Sequence, residues 1–189
     1  LLSVVAESKP RLALQIGIDG LWNTLEIARE NKCAVFTPSS IGSFGHETPH
    51  DMTPQDTVQR PRTIYGVSKV TTELLSDWYF HKYGVDTRSV RFPGIISYVT
   101  PPGGGTTDYA VDIYYYAVRG ERFTCPIKAG THMDMMYMPD ALQAAQMLME
   151  AADAAHERGL TEHEAVLKKL AGLCSDECLN EDAPYFVAA

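Results

Sequence analysis

No basic stripe, no CxxC pair and no long apolar run occurs in this chain of 189 residues, and each absence removes a class of function. The formal net charge is −8, and the longest basic run is Lys168-Lys169. A nucleic-acid partner is therefore not expected, because phosphates are met by clustered Lys and Arg. Every apolar segment falls short of the roughly 20 residues that span a bilayer, so no membrane is expected either. The start shows neither the basic region of a signal peptide nor a transit peptide. It opens on Leu1 rather than Met, from which upstream sequence is expected. Cysteines are few: Cys33, Cys125, Cys174 and Cys178. Cys174 and Cys178 stand four apart with His163 upstream, but three ligands without a recognisable spacing do not make a metal site. They read as incidental thiols of a reducing compartment. His46, His50, His81 and His132 have no metal spacing and read as surface or packing residues. No internal repeat is visible.

What is present is an ordinary globular composition, 45% hydrophobic and 21% charged, in a length that suits one domain with a sizeable core. Leu14, Ile18, Leu21, Leu25 and Ala28 recur at helical steps and predict a helix over 12–30. Cys33 to Thr37 follows as a short apolar strand closed by Pro38-Ser39-Ser40. Residues 41–62, rich in Gly, Pro and Thr, predict a long loop, and loops of that length are usually functional. Thr63 is a candidate N-cap for a helix reaching Tyr83, where Gly84 stops it. The inward residues of that helix are expected to be Val67, Leu74, Leu75, Trp78 and Tyr79. Residues 85–92 predict a strand ended by Pro93-Gly94, and 101–105 an irregular loop. A helix is expected over 108–119, a strand at Met135 to Met138, and a helix from Pro139-Asp140 to about Ala152. The methionines from Met133 to Met138 read as packing residues. Strand alternating with helix predicts an α/β fold with a parallel sheet. Ligands on such sheets bind outside the carboxyl ends of the strands. Ser39-Ser40, Pro93-Gly94 and the start of the 63–83 helix then converge on one rim.

One pair on that rim carries chemistry. Tyr65 and Lys69 stand four residues apart and so share one helix face. A cationic ammonium beside a phenol favours the phenolate, and a phenolate can take a proton from an alcohol. By spacing alone the pair reads first as an ordinary solvated helix face, since Tyr and Lys four apart recur by chance on helix surfaces.

With Pro38-Ser39-Ser40, Phe44-Gly45, Tyr65, Lys69 and Arg91-Phe92-Pro93-Gly94 assembled, the chain resembles the extended short-chain dehydrogenase/reductase superfamily. There a serine or threonine lies 25 residues before the tyrosine, as Ser40 does before Tyr65. Arg60-Pro61-Arg62-Thr63, Ile95-Ile96-Ser97, Met135-Met136-Tyr137-Met138 and above all Gly103-Gly104-Gly105-Thr106-Thr107-Asp108-Tyr109-Ala110 are similar to the NAD-dependent L-threonine 3-dehydrogenases. The resemblance covers about residues 1–151. It implies a partial Rossmann-like parallel sheet flanked by helices with a small C-terminal substrate-binding portion. Residues 1–152 correspond to the C-terminal two-thirds of such a domain, and 153–189 to a divergent, mostly helical acidic tail. The Gly-rich dinucleotide fingerprint is absent, and Gly17 stands where the family has an asparagine.

The resemblance further implies oxidation of L-threonine to 2-amino-3-ketobutyrate with NAD as hydride acceptor. In that scheme Tyr65 is the base, Lys69 supports it and holds the nicotinamide ribose, and Ser40 orients the reacting oxygen. Pro93, Gly94 and Ile95 line the nicotinamide side. Thr106 and Asp108 are candidates for gripping the amino acid, with Asp108 reading equally as a helix N-cap. Ser3 is a further substrate candidate, Ser39 a supporting hydroxyl beside Ser40, and Arg91 the cation of a structural ion pair. A homodimer through a four-helix contact is implied, in the mitochondrial matrix of an animal or protist or the cytoplasm of a bacterium. The alternatives are a nucleotide-sugar epimerase/dehydratase of the same superfamily, or an inactive fragment without cofactor binding.

Overall fold

Helix fills the opening of the computed structural model, which describes residues 2–99 and 101–157. Apolar repetition predicts helix from residue 12, but the structure begins it at Ser3 and delivers it in pieces. These are α1 (Ser3–Ser8), α2 (Pro10–Leu14), a π-helical turn (Gln15–Asp19) and α3 (Gly20–Asn31). Pro10 accounts for the first break, because it opens α2 at the position where a missing N–H costs nothing. Gly17 lies in the π-helical turn, where a Cβ would stand 3.5 Å from Ser68 Cβ.

Strand β1 (Val35–Ser40) runs through Pro38 instead of closing before it. Among the described residues β1 pairs with one neighbour only, and an edge strand tolerates proline. A short 3₁₀ turn (Ile41–Ser43) and an irregular stretch follow, as the polar composition predicts. Helix α4 (Ile64–Tyr83) starts where Thr63 Oγ1 accepts from the Gly66 N–H at 3.0 Å and stops at Gly84, whose φ of 67° is left-handed.

The inward face of α4 differs from the expected one. Val67, Leu74 and Trp78 are 41%, 62% and 44% exposed, whereas Ser68, Thr72, Glu73 and Ser76 are buried. Of the expected set, Tyr79 is fully buried and Leu75 half-buried. The reason lies in the sheet. Strand β2 (Thr87–Phe92) runs parallel to β1 with Thr37 opposite Ser89 and Ser39 opposite Arg91. The period of two puts Thr37, Ser39, Thr87, Ser89 and Arg91 on one face. Hydrogen bonds from Ser39 and Arg91 to Glu73 and from Thr87 to the Ser76 carbonyl show α4 lying on that polar face. Polar residues therefore turn inward, and apolar ones are left outside. The apolar core sits at the other end, built from Leu21, Leu25 and Ala28 of α3, Val35, Tyr79 and Val85, with Leu75 beside them.

Pro93 ends β2, but Gly94 begins a further strand that the sequence does not predict. This β3 (Gly94–Ile96) pairs parallel with β4 (Met135–Tyr137), and α5 (Tyr109–Arg119) lies between them in the chain. Both ladders are thus parallel, with helices on the connections, as expected for the α/β class. A second compact unit opens at Pro139. Its described part is helix α6 (Met138–Glu157), which extends past the predicted end. The tail beyond residue 157, with His163, Cys174 and Cys178, lies outside the described residues.

Candidate active site

Three consecutive residues of β1 meet three consecutive turns of α4. Tyr65, Lys69 and Glu73 recur at four-residue steps and so form one stripe of the helix. Ser40 comes to Tyr65 across Gly42: its Oγ accepts from the Gly42 N–H at 3.1 Å. A Cβ placed on Gly42 would stand 3.0 Å from Tyr65 Cε1 and 3.4 Å from Ser40 Oγ, so Gly42 is wedged between the hydroxyl and the phenol ring. Pro38 takes the next rung, its carbonyl accepting from Lys69 Nζ at 2.6 Å. The same Nζ lies 5.6 Å from the centroid of the Tyr65 ring. Ser39 takes the third, donating its Oγ–H to Glu73 Oε1.

Close backbone approach holds this arrangement. A Cβ on Gly66 would fall 2.3 Å from the Gly42 carbonyl oxygen and 2.4 Å from Pro61 Cβ. One on Gly45 would fall 2.2 Å from the Arg60 carbonyl oxygen. Both glycines are required by contact and not by a positive φ, which lets the turn after β1 press onto the first turn of α4. The start of α4 is also held by Glu7 of α1, whose Oε1 accepts from the Ile64 N–H at 2.7 Å. That satisfies a donor which a helix start leaves unpaired.

The charges are few and paired. Burial pushes Lys69 below the ordinary lysine value, and Glu73 offsets part of that effect. Burial by itself would raise Glu73. The hydrogen bonds from Arg91, Ser39 and Gln59, with the Arg91 charge, outweigh it and hold the carboxyl below its usual range. Arg91 makes the ion pair expected of it, Nη2 to Glu73 Oε2 at 2.9 Å.

The remaining candidates form a second group. A Cβ on Gly94 would stand 2.4 Å from Thr107 Cγ2 and 2.9 Å from Met135 Sδ, so those two side chains fill its place in β3, between Pro93 and Ile95. Asp108 occupies the N-cap position of α5, but its side chain makes no capping bond there. Instead Asp108 Oδ2 accepts from the Gly104 and Gly105 N–H groups at 2.7 and 2.8 Å, clasping the glycine loop. Thr106 is exposed. Ser3 is the half-buried first residue of α1, and its neighbour Val4 donates its N–H to the Gly104 carbonyl at 3.4 Å. Helix α1 therefore links the two groups, touching the glycine loop at one end and the start of α4 through Glu7.

Tyr65, Lys69 and Ser40 are thus brought together, with Ser39 turned away from them to Glu73. Pro93 to Ile95, Thr106, Asp108 and Ser3 belong to the second group. Sequence reasoning missed Glu7, Gly42 and Glu73. Glu73 was within reach, because it extends the stripe of Tyr65 and Lys69 by one more turn. Among the described residues no cluster of His, Cys, Asp or Glu could hold a metal ion, and no helix is long and apolar enough to cross a membrane. The histidines His46, His50, His81 and His132 are all exposed.

A profile of the NAD dependent epimerase/dehydratase family matches residues 4–160. The chain is 59% identical over 154 residues to an uncharacterized epimerase/dehydratase of Staphylococcus aureus, covering 82% of this chain and 48% of that protein. It thus spans about half the length of the curated relatives it matches. Among solved structures it is similar to the L-threonine dehydrogenase of Clostridium difficile, with 65% identity, a TM-score of 0.77, and coverage of 80% of this chain and 47% of that one. The GalE-like L-threonine dehydrogenase of Cupriavidus necator in its holo form is 50% identical, with a TM-score of 0.76 and coverage of 80% and 49%.

Proposed function

The chain belongs to the NAD dependent epimerase/dehydratase family, and on that premise we propose that it carries the catalytic half of an L-threonine 3-dehydrogenase. One observation carries this reading: β1 presents Ser40 and the Pro38 carbonyl to successive turns of α4, which gathers a hydroxyl and an ammonium about one phenol. The similarity to L-threonine dehydrogenases of known structure supports the substrate.

Tyr65, as phenolate, takes the proton of the 3-hydroxyl of L-threonine onto its own oxygen. Ser40 Oγ hydrogen-bonds the reacting oxygen and orients it, and such positioning supplies a large part of the barrier reduction. Lys69 supplies the charge that stabilises the phenolate. NAD, when bound, is the hydride acceptor for C3, leaving 2-amino-3-ketobutyrate. The donors present fit its nicotinamide ribose. Lys69 Nζ gives one N–H to Pro38 and has two more to offer sugar hydroxyls, with Tyr65 beside it. Pro93, Gly94 and Ile95 serve the nicotinamide side. The Gly-rich fingerprint that would take the pyrophosphate is not among these residues, so the fit is to the nicotinamide end of the dinucleotide. Asp108 Oδ1 makes no hydrogen bond among the described residues and is the atom to meet the substrate ammonium, a charge-assisted contact, with Thr106 and Ser3 beside the glycine loop. Two chains pair through α3 and α4, whose exposed Trp22, Ile27, Val67, Leu74 and Trp78 offer an apolar face.

The test is a chimera in which the C. difficile enzyme supplies the half that this chain does not match. It is expected to reduce NAD with L-threonine and to ignore nucleotide sugars. A chimera that binds NAD but gives no threonine-dependent NADH ends the proposal.

A further inference from the structure

The layer between α4 and the sheet is poorly built for stability. Glu73 and Arg91 side chains are only 10% and 9% exposed, and replacing such a buried pair by apolar groups often leaves a protein as stable or more so. Thr37 Oγ1, Ser76 Oγ and Ser89 Oγ lie buried in the same layer with no hydrogen-bond partner, and each such group costs free energy. What the layer does provide is geometry. Glu73 Oε1 accepts from Ser39, and its Oε2 accepts from Gln59 Nε2 at 2.8 Å and Arg91 Nη2 at 2.9 Å. Arg91 Nε lies 3.2 Å from both carboxylate oxygens. Arg91 Nη1 donates to the Gln55 carbonyl at 3.0 Å, and the guanidinium stands 5.5 Å over the Phe44 ring. One carboxylate thereby ties together β1, β2, α4 and both ends of the long loop before Tyr65.

We propose that Glu73, pinned by Arg91, is a positioning residue of the candidate site: it fixes the strand end that presents Ser40 and places a negative charge one helical turn from Lys69. It touches neither substrate nor cofactor. The relevance of this to turnover rests on the dehydrogenase reading above, but the arrangement itself does not. Lys69 is faced from α4 by Glu73 and Tyr65, and from β1 by the uncharged Pro38 carbonyl. From β2 comes the charge of Arg91, which is paired with Glu73. Removing Glu73 alone leaves Arg91 as an unbalanced cation in the same layer, whereas removing both leaves no net charge.

The experiment needs no turnover. Lysine-labelled chain is titrated by NMR and the Lys69 Nζ resonance followed in the wild type, Glu73→Gln and the charge-balanced Glu73→Gln/Arg91→Gln variant, each first shown to be folded by circular dichroism. The Lys69 midpoint is expected at lower pH in both variants, with the larger fall in the single one. If the single variant fails to fold, the double variant alone decides. A folded variant whose Lys69 titrates together with the wild type overturns the proposal, because a purely structural Glu73 would leave that midpoint where it is. In the threonine-active chimera, Glu73→Gln is expected to lower kcat about 100-fold, the cost of a small misplacement, with KM for threonine within about twofold. Unchanged kcat there also overturns it. A wild-type chimera without threonine activity sinks the dehydrogenase reading while leaving the Lys69 result standing.

Discussion

Along α4 the C-terminal half meets an apolar core and the N-terminal half meets a polar strand end. Tyr79 is fully buried in a cluster with Leu21, Leu25, Ala28, Val35 and Val85. Two turns earlier, Glu73 sits in a web of named donors, and before it Lys69 and Tyr65 face Pro38, Gly42 and Ser40. Apolar burial is roughly proportional to area and indifferent to direction, so the first half tolerates adjustment. The second depends on individual atoms at hydrogen-bond distance and on glycines that admit no side chain. The same helix is thus fastened by area at one end and by geometry at the other, and substitutions should separate the two.

The largest effect is expected at the polar end. Tyr65→Phe removes one hydroxyl and no packing, and in the chimera it should lower threonine-dependent kcat by about 10²- to 10⁴-fold, the usual worth of general acid–base catalysis. NAD binding and the melting curve should stay as they are. Near-normal turnover would place the base elsewhere. At the apolar end the expected loss is of another kind. Leu25→Ala opens a cavity beside Tyr79 and should cost about 2–5 kcal/mol in urea unfolding of the chain. The Lys69 titration should not move. If it does, the two ends are not independent and the contrast fails.

Much of this frame is legible in the sequence, and the parts that are not share a cause. The limits of α4 follow from Thr63 and Gly84, and the parallel class from strands alternating with helices. Tyr65, Lys69 and Ser40 follow from spacing together with resemblance. The inward face of α4 does not, because apolar periodicity assumes an apolar neighbour. Here the neighbouring sheet face carries Thr37, Ser39, Ser89 and Arg91, so helix and sheet match polar to polar. Strand β3 escaped notice because Pro93 reads as a terminator, while its partner β4 lies far along the chain. Glu7 meets the start of α4 from 57 residues away, and local pattern cannot show such a bond.

Acid offers a gentler way to separate the ends. The Glu73 carboxyl is held below its ordinary value of 4.5 in the folded chain. Its contribution to stability is therefore fully present above about 4.5 and is lost as pH falls through the lower folded value. The Lys69 ammonium, by contrast, is disfavoured in the folded chain, because burial lowers it from 10.5. Its charge opposes folding at neutral pH and is relieved as pH rises toward and past that value. Urea midpoints measured from neutral pH down to about 3 should fall, and Glu73→Gln should flatten that fall. Leu25→Ala should lower the whole curve without changing its shape. An equally steep acid limb in Glu73→Gln would assign the dependence to other carboxylates.

The smallest effect on the fold is expected on the outer side of α4, where the comparison turns from end against end to inside against outside. Leu74 is 62% exposed, and Trp78 stacks on Trp22 of α3 with ring centroids 6.4 Å apart. Leu74 makes little use of its apolar surface within one chain, so Leu74→Gln should change unfolding by no more than about 0.5 kcal/mol. On the proposal that two chains pair through α3 and α4, Leu74 nevertheless lies in the covered face. With α3 and α4 as the pairing face, Leu74→Gln should weaken self-association in sedimentation velocity while Leu25→Ala, in whatever fraction stays folded, should not. Equal sedimentation of wild type and Leu74→Gln would return that face to solvent, and with it the reason that apolar residues stand outside a helix whose polar residues stand inside.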